Sequence, residues 1–227
     1  MLQTHALTQA PGFDWDALVG LARQEEVEPL LYAALREQPW APAPLLDDLR
    51  SATMRNASRN TLLLAELEAV LAALAAAGIP ALVLKGAALV YRVYGNIALR
   101  PMVDLDLLLP RADLPAALAL LAAAGYHPPQ AEPAAGLTLD FENEVLLRKA
   151  DRIDLLLEPH WSLFDSPYYQ RCLPMAWFWQ TAMFTRVGAT PARILRKRYA
   201  LRHPALLPAY YPYRWFVGLR EALQSRK

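Results

Sequence analysis

Apolar and polar positions follow two rhythms along this chain, and the change between them falls near residue 80. From Asp14 to Arg36 the apolar residues Trp15, Leu18, Leu21 and Ala22, then Leu30, Leu31 and Leu35, recur every three or four positions. That spacing predicts amphipathic helix, with Asp14 as N-cap. Pro29 splits the stretch into two helices, because proline removes a backbone donor and clashes with the preceding turn. Pro39, Pro42 and Pro44 break the pattern. A long helix is then expected from about Leu45 to Ala77, with Leu62, Leu63, Leu67, Val70, Leu71 and Leu74 on its buried side. Gly78 suits the position just past a helix end, and Pro80 prevents continuation.

Beyond Pro80 the apolar runs shorten. Ala81 to Leu84 reads as a buried strand, ended by Lys85-Gly86, and Ala87 to Tyr94 as helix. Gly95 to Pro101 is a loop. Val103 to Leu109 is a second apolar run, broken only by Asp104 and Asp106 and closed by Pro110. Asp113 to Ala124 predicts a short helix capped by Gly125, and Pro128 to Gly136 a loop. Leu137 to Leu147 and Arg152 to Glu158 read as strands of a hairpin turning at Arg148-Lys149-Ala150-Asp151. Leu173 to Phe184 and Ala192 to Leu201 read as helix. An aromatic cluster, Tyr210, Tyr211, Tyr213, Trp215 and Phe216, lies near the end.

Composition narrows the class. The 227 residues are 55% hydrophobic and 20% charged, enough for a packed core. The single cysteine, Cys172, cannot form an internal disulfide, which fits a reducing compartment. No Cys/His pair has zinc spacing. Residues 1 to 16 lack the basic and apolar regions of a signal peptide, and no apolar run reaches membrane length, so a cytoplasmic protein is expected. The net charge of +1 hides an asymmetry: from Ser166 to Lys227, eleven Arg and Lys residues face a single acid, Glu221. Such a tail, with its aromatics, has the chemistry to bind RNA or another polyphosphate, although arginines pairing with an acidic body are the commoner outcome.

Three segments carry candidate chemistry. On a strand, Asp104 and Asp106 share one face while Val103, Leu105 and Leu107 point to the core. Adjacent carboxylates repel, which favours a cation such as Mg²⁺ or Mn²⁺ between them. Lys85-Gly86 joins a strand to a helix, where glycine permits close approach of a phosphate and the lysine adds charge. Asp154 and Glu158 share a face of the next strand, and either can supply a third carboxylate. His160, beside Trp161, closes that strand.

Together these segments resemble the bacterial uncharacterised nucleotidyltransferase family of the polymerase-beta-like superfamily. The resemblance runs from Asp14 to Leu163. Its specific part is Lys85-Gly86-Ala87-Ala88 through Leu99-Arg100-Pro101-Met102-Val103-Asp104-Leu105-Asp106-Leu107-Leu108, with Glu158-x-His160-Trp161 downstream and Arg59-Asn60 and Glu66-Leu67 in the helical lead-in. It implies an α+β fold with a small mixed or antiparallel sheet and flanking helices; together with the element pattern above, the chain divides into an N-terminal helical region (1–78), a nucleotidyltransferase core (79–165) and a short helical, basic, aromatic-rich tail (166–227). The resemblance also implies transfer of a nucleoside monophosphate from an NTP such as ATP to an acceptor: a small molecule, a protein or an RNA end. In that role Asp104, Asp106 and Glu158 are the metal ligands and catalytic acids, and Lys85, Gly86, Ala87 and Arg100 lie against the nucleotide. Asp154 and His160 are further candidates. Ala87 departs from the Gly-Ser or Gly-Gly turn usual in the superfamily, and the C-terminal region is short. A catalytically silent binding module is therefore the alternative, and an RNA-binding accessory protein using the tail a third reading.

Overall fold

A computed structural model describes residues 13–129, 142–151, 153–164, 166, 169, 174–180, 182–188 and 190–195. The aromatic cluster at 210–216 and the basic residues from Arg196 onward lie outside the described residues.

The N-terminal region is helical. Helix α1 (Trp15–Gln24) is capped by Asp14, whose side chain accepts a hydrogen bond from the Ala17 N–H at 2.9 Å. Helix α2 (Glu28–Leu35) carries Pro29 in its first turn, where a missing N–H costs nothing. Helix α3 (Ala43–Ala76) runs for 34 residues, about 50 Å at the usual rise. It buries Leu63, Leu64, Leu67, Val70, Leu71 and Leu74, while Leu62 is only half-buried. It ends as expected at Gly78, which takes a φ of +74°. The Gly78 N–H bonds the Ala75 carbonyl and the Ile79 N–H bonds that of Leu74, so two otherwise orphaned carbonyls are satisfied.

The remaining elements are β1 (Leu82–Val83), α4 (Lys85–Leu89), which runs on into a π-helical turn (Val90–Tyr94), β2 (Asp104–Leu108), α5 (Leu114–Ala123), β3 (Leu147–Ala150), β4 (Asp154–His160), α6 (Met175–Gln180), β5 (Ala182–Val187) and β6 (Thr190–Leu195). They form an α+β fold around one six-stranded mixed sheet of order β3-β4-β2-β1-β6-β5. Strands β2 and β4 are parallel neighbours, as are β1 and β6; the other pairs are antiparallel.

Alternation along the strands sorts the two sheet faces. Leu105 and Leu107 of β2, Leu155 and Leu157 of β4 and Val83 of β1 join α3 and α5 in the main core. A fully buried leucine contributes roughly 1.5–3 kcal/mol, so this face is strongly committed to its register. Leu82, Leu84 and Leu108 form a smaller cluster on the other face, against Leu163, Met175 and Trp179. The same alternation gives that second face Asp104 and Asp106.

The structure departs from the sequence reading in five places. The strand expected over Leu137–Leu147 begins only at Leu147, since 142–146 are irregular and 137–141 lie outside the described residues. Val103 does not enter the core: it precedes β2 and is 51% exposed. The β3–β4 turn lies between Ala150 and Asp154, so Arg148, Lys149 and Ala150 are strand residues, not turn. The expected helix over Leu173–Phe184 is confined to Met175–Gln180 among the described residues, and Met183 and Phe184 belong to β5. The expected helix from Ala192 begins instead as strand β6, and 196–201 lie outside the described residues. The β5–β6 hairpin thus comes from the tail region yet adds two strands to the sheet.

Candidate metal and nucleotide site

The site lies at the C-terminal half of the parallel pair β2–β4. Register places Asp104 opposite Leu156, Asp106 opposite Glu158 and Leu108 opposite His160. Even-numbered residues of both strands share the face away from the main core, so Asp106, Glu158 and His160 converge. A ligand atom from each lies within 4.8 Å of those of the other two.

Asp106 is the centre. It is 2% exposed, and its Oδ1 lies 2.6 Å from Lys85 Nζ and 2.9 Å from His160 Nε2. Burial alone would raise this carboxyl, but the contacts from His160 and Lys85 outweigh burial and hold it below the usual carboxylate range. Lys85 Nζ also reaches Glu158 Oε2 at 3.3 Å. Burial lowers the affinity of the ammonium for its proton, yet the two carboxylates reverse this and the lysine is held firmly charged. Glu158 is raised, first by burial and then by the nearby Asp106, against the opposing charge of Lys85. Asp104 is raised by burial and by the charge of Asp106.

The remaining ring nitrogen of His160, Nδ1, lies 2.7 Å from Glu144 Oε2. A carboxylate on one nitrogen fixes the imidazole plane and leaves the other aimed at Asp106 and Glu158, the arrangement by which metal-ligating histidines are held. Sequence reasoning passed over Glu144. Its link to His160 is a single antiparallel bridge, Glu144 with His160, outside any regular strand. No periodicity marks such a residue.

Lys85 is placed by unusual backbone geometry. Its φ is +40°, and among the described non-glycine residues only Glu26 shares a positive φ. A lysine there costs of order 1–3 kcal/mol, and such strain recurs at functional sites. Gly86 follows, with Ala87, at the buried start of α4. A Cβ at Gly86 would meet Met102 Cγ at 3.0 Å, so packing against the loop before β2 is enough to explain the glycine.

Two predicted residues stand apart. Asp154 begins β4 at the sheet's outer end, where Arg148 holds both its oxygens, at 2.8 Å and 2.9 Å. It is not brought to the cluster. Arg100 lies in the segment between α4 and β2, with its Nε buried and lacking a hydrogen-bond partner among the described residues.

The chemistry of the cluster is clear in outline. Two carboxylates and an imidazole converge, a third carboxylate (Asp104) sits beside them, and one ammonium compensates part of the charge. Oxygen and imidazole donors at this separation fit a divalent cation. No curated protein and no solved structure matches the chain. No helix among the described residues is long and apolar enough to cross a membrane. The model of the uncharacterised nucleotidyltransferase family matches residues 11–206, and the chain belongs to that family.

Proposed function

We propose that this protein transfers a nucleoside monophosphate from an NTP to an acceptor hydroxyl, with Asp106, Glu158 and His160 holding a divalent cation and Asp104 beside them. The convergence of these side chains on adjacent parallel strands, in a nucleotidyltransferase family member, carries the reading. Carboxylates alone suit Mg²⁺; an imidazole among the donors shifts the preference toward Mn²⁺. When bound, the cation would supply positive charge to the phosphates and lower the pKa of a coordinated hydroxyl. The chain's own groups do the rest. The acceptor oxygen forms a bond to the α-phosphorus as the bond to pyrophosphate breaks, and Glu158 takes the hydroxyl proton. Lys85 would place its ammonium against the phosphates, and Arg100 would add a second positive charge. The experiment is label transfer from an NTP labelled at the α-phosphate, with Mn²⁺ or Mg²⁺, in the wild type and in Asp106→Asn. Equal transfer by both proteins would refute this assignment.

Two observations favour a second reading, a catalytically silent module that holds nucleotide or a partner. Lys85 pairs with both Asp106 and Glu158 and so competes with a cation for their oxygens, and Ala87 offers no phosphate-binding hydroxyl. Thermal stabilisation by NTP and Mn²⁺ without label transfer would select it. RNA binding through the basic tail is tested by truncation after Leu195. A cut at Arg186 would remove β6, which pairs with β1, and would confuse unfolding with lost binding.

A further inference from the structure

The segment from Asn96 to Val103 joins the Lys85 helix to the Asp104–Asp106 strand, and helix α3 grips it with three polar side chains. Asn60 Nδ2 donates to the carbonyls of Ile97 and Arg100 at 2.6 Å and 2.7 Å. Asn56 Nδ2 donates to the Ala98 carbonyl at 2.7 Å. Arg59 donates through Nε to the Met102 carbonyl at 3.2 Å and through Nη2 to that of Val103 at 3.3 Å. The spacing 56, 59, 60 puts all three on one helix face.

Asparagine is a poor choice for a helix interior, and Asn60 is fully buried. Burying an amide is costly unless it is hydrogen-bonded, and here its donors are spent entirely on one irregular segment. The grip is not needed to dock the helix, because Leu63, Leu67, Val70, Leu71 and Leu74 already pack it on the sheet further along. Its target is specific. Val103 is the last residue before β2, and the Met102 side chain closes on Gly86, beside Lys85. Arg59 therefore bonds the two residues that tie the lysine turn to the aspartate strand.

We propose that Asn56, Arg59 and Asn60 are positioning residues for the metal site: they fix Asp104 and Asp106 relative to Lys85 by clamping the segment between them. This rests on the metal reading above. The clamp would act on the carboxylates only through the backbone, so no member touches substrate.

The test uses the full chain with Mn²⁺ alone as probe, far below the melting temperature, reading free Mn²⁺ by electron paramagnetic resonance. Arg59→Ala is expected to weaken Mn²⁺ binding about 10-fold, within the 10–100-fold range for residues that orient ligands. Asn56→Ala should weaken it less, and Arg59→Lys should recover part of the loss. Arg55→Ala, an exposed position on the same helix, serves as the unchanged control. A lowered melting temperature with unaltered Mn²⁺ affinity in both Arg59→Ala and Asn56→Ala overturns the proposal, since the clamp would then only stabilise the fold. If the wild type binds no Mn²⁺, the metal reading itself fails, and the clamp is judged on the ¹⁵N shift of His160 Nε2, which reports its contact with Asp106. A shift that moves in Arg59→Ala and not in Arg55→Ala upholds the positioning role; one that stays put rejects it.

Discussion

The two ends of the β2–β4 face carry similar residues in unlike settings. At the outer end Asp154 is exposed and paired with Arg148, and Asp104 is half-buried with the charge of Asp106 repelling it. At the inner end Asp106 is buried between Lys85 and His160, and Glu158 shares the same lysine. Strand and face are common to both ends, so the difference comes from depth and neighbours. Around Asp154 and Arg148 water screens each charge and the pair is worth little. At the inner end Asp106 is almost fully desolvated, although Lys85 is itself 55% exposed, so each contact to that carboxylate counts for more and removing one leaves a buried charge less compensated.

Removing the central carboxylate is the largest expected effect. Asp106→Asn should lower nucleotidyl transfer about a thousand-fold or more, since it removes a proposed ligand and the anchor of both Lys85 and His160. It should also destabilise the fold by about 1–3 kcal/mol near neutral pH, read by urea unfolding. The sign follows from the lowered carboxyl: its ionised form is favoured in the folded state, so its contribution is present above the ordinary pKa of 3.8. That contribution is lost as pH falls through the folded value. The gap between wild type and Asp106→Asn should therefore close in acid.

Asp104 supplies the contrast two residues away. Its carboxyl is raised, so ionised Asp104 is a cost in the folded protein at neutral pH, and that cost disappears below 3.8. Asp104→Asn should reduce transfer strongly, about a hundred-fold, while raising the melting temperature by a few degrees at pH 7. The gain should shrink as pH is lowered toward 4. A variant that loses both activity and stability would show that Asp104 is held by an attractive contact, and the contrast between the two aspartates would collapse.

How far these arrangements could be read from the sequence depends on how local their causes are. Strand alternation put Asp104 with Asp106 on one strand face and Asp154 with Glu158 on another, the family resemblance singled out Glu158 of the latter pair, and Gly78 announced the end of α3. Glu144 was hidden because a single bridge between irregular segments brings it to His160. The β5–β6 hairpin was hidden by Pro191, which argues against a strand flanked on both sides. Strand β1 is only two residues long and pairs with Arg193 and Ile194, so Pro191 sits beyond its end and breaks no bond to it. Gly188, with a φ of +58°, turns the chain between Val187 and Thr190. It packs so closely on Glu68 of α3 that a side chain there would run into the carboxylate. That requirement comes from a helix more than a hundred residues away, which no local pattern encodes.

Lys85 sharpens the comparison, because it is the cation on which the inner end relies. Lys85→Ala leaves Asp106 and Glu158 facing each other without their shared ammonium. Mn²⁺ should then bind about 10-fold more tightly, since no ammonium competes for the same oxygens, while transfer falls because the phosphates lose their lysine. Tighter metal with weaker transfer distinguishes a competing cation from a structural one. Weaker Mn²⁺ binding in Lys85→Ala would mean that the lysine organises the carboxylates instead of masking them.

The smallest effect belongs to the outer end. Arg148 and Asp154 form a doubly hydrogen-bonded surface pair, with two short contacts from one guanidinium nitrogen. Both side chains are more than half exposed, at 51% and 58%. Geometry alone would rank this pair beside the Lys85–Asp106 contact; the two cations are similarly exposed, and the exposed carboxylate of Asp154, against the buried one of Asp106, ranks it lower. Asp154→Ala should change stability by no more than about 1 kcal/mol, with the difference fading in high salt, and should leave label transfer at the wild-type rate. Asp154 lies on the same strand face as Glu158, with only Leu156 between them on that face. A loss of transfer in Asp154→Ala would therefore mean that the whole face works as one electrostatic unit, and that depth is not what separates its two ends.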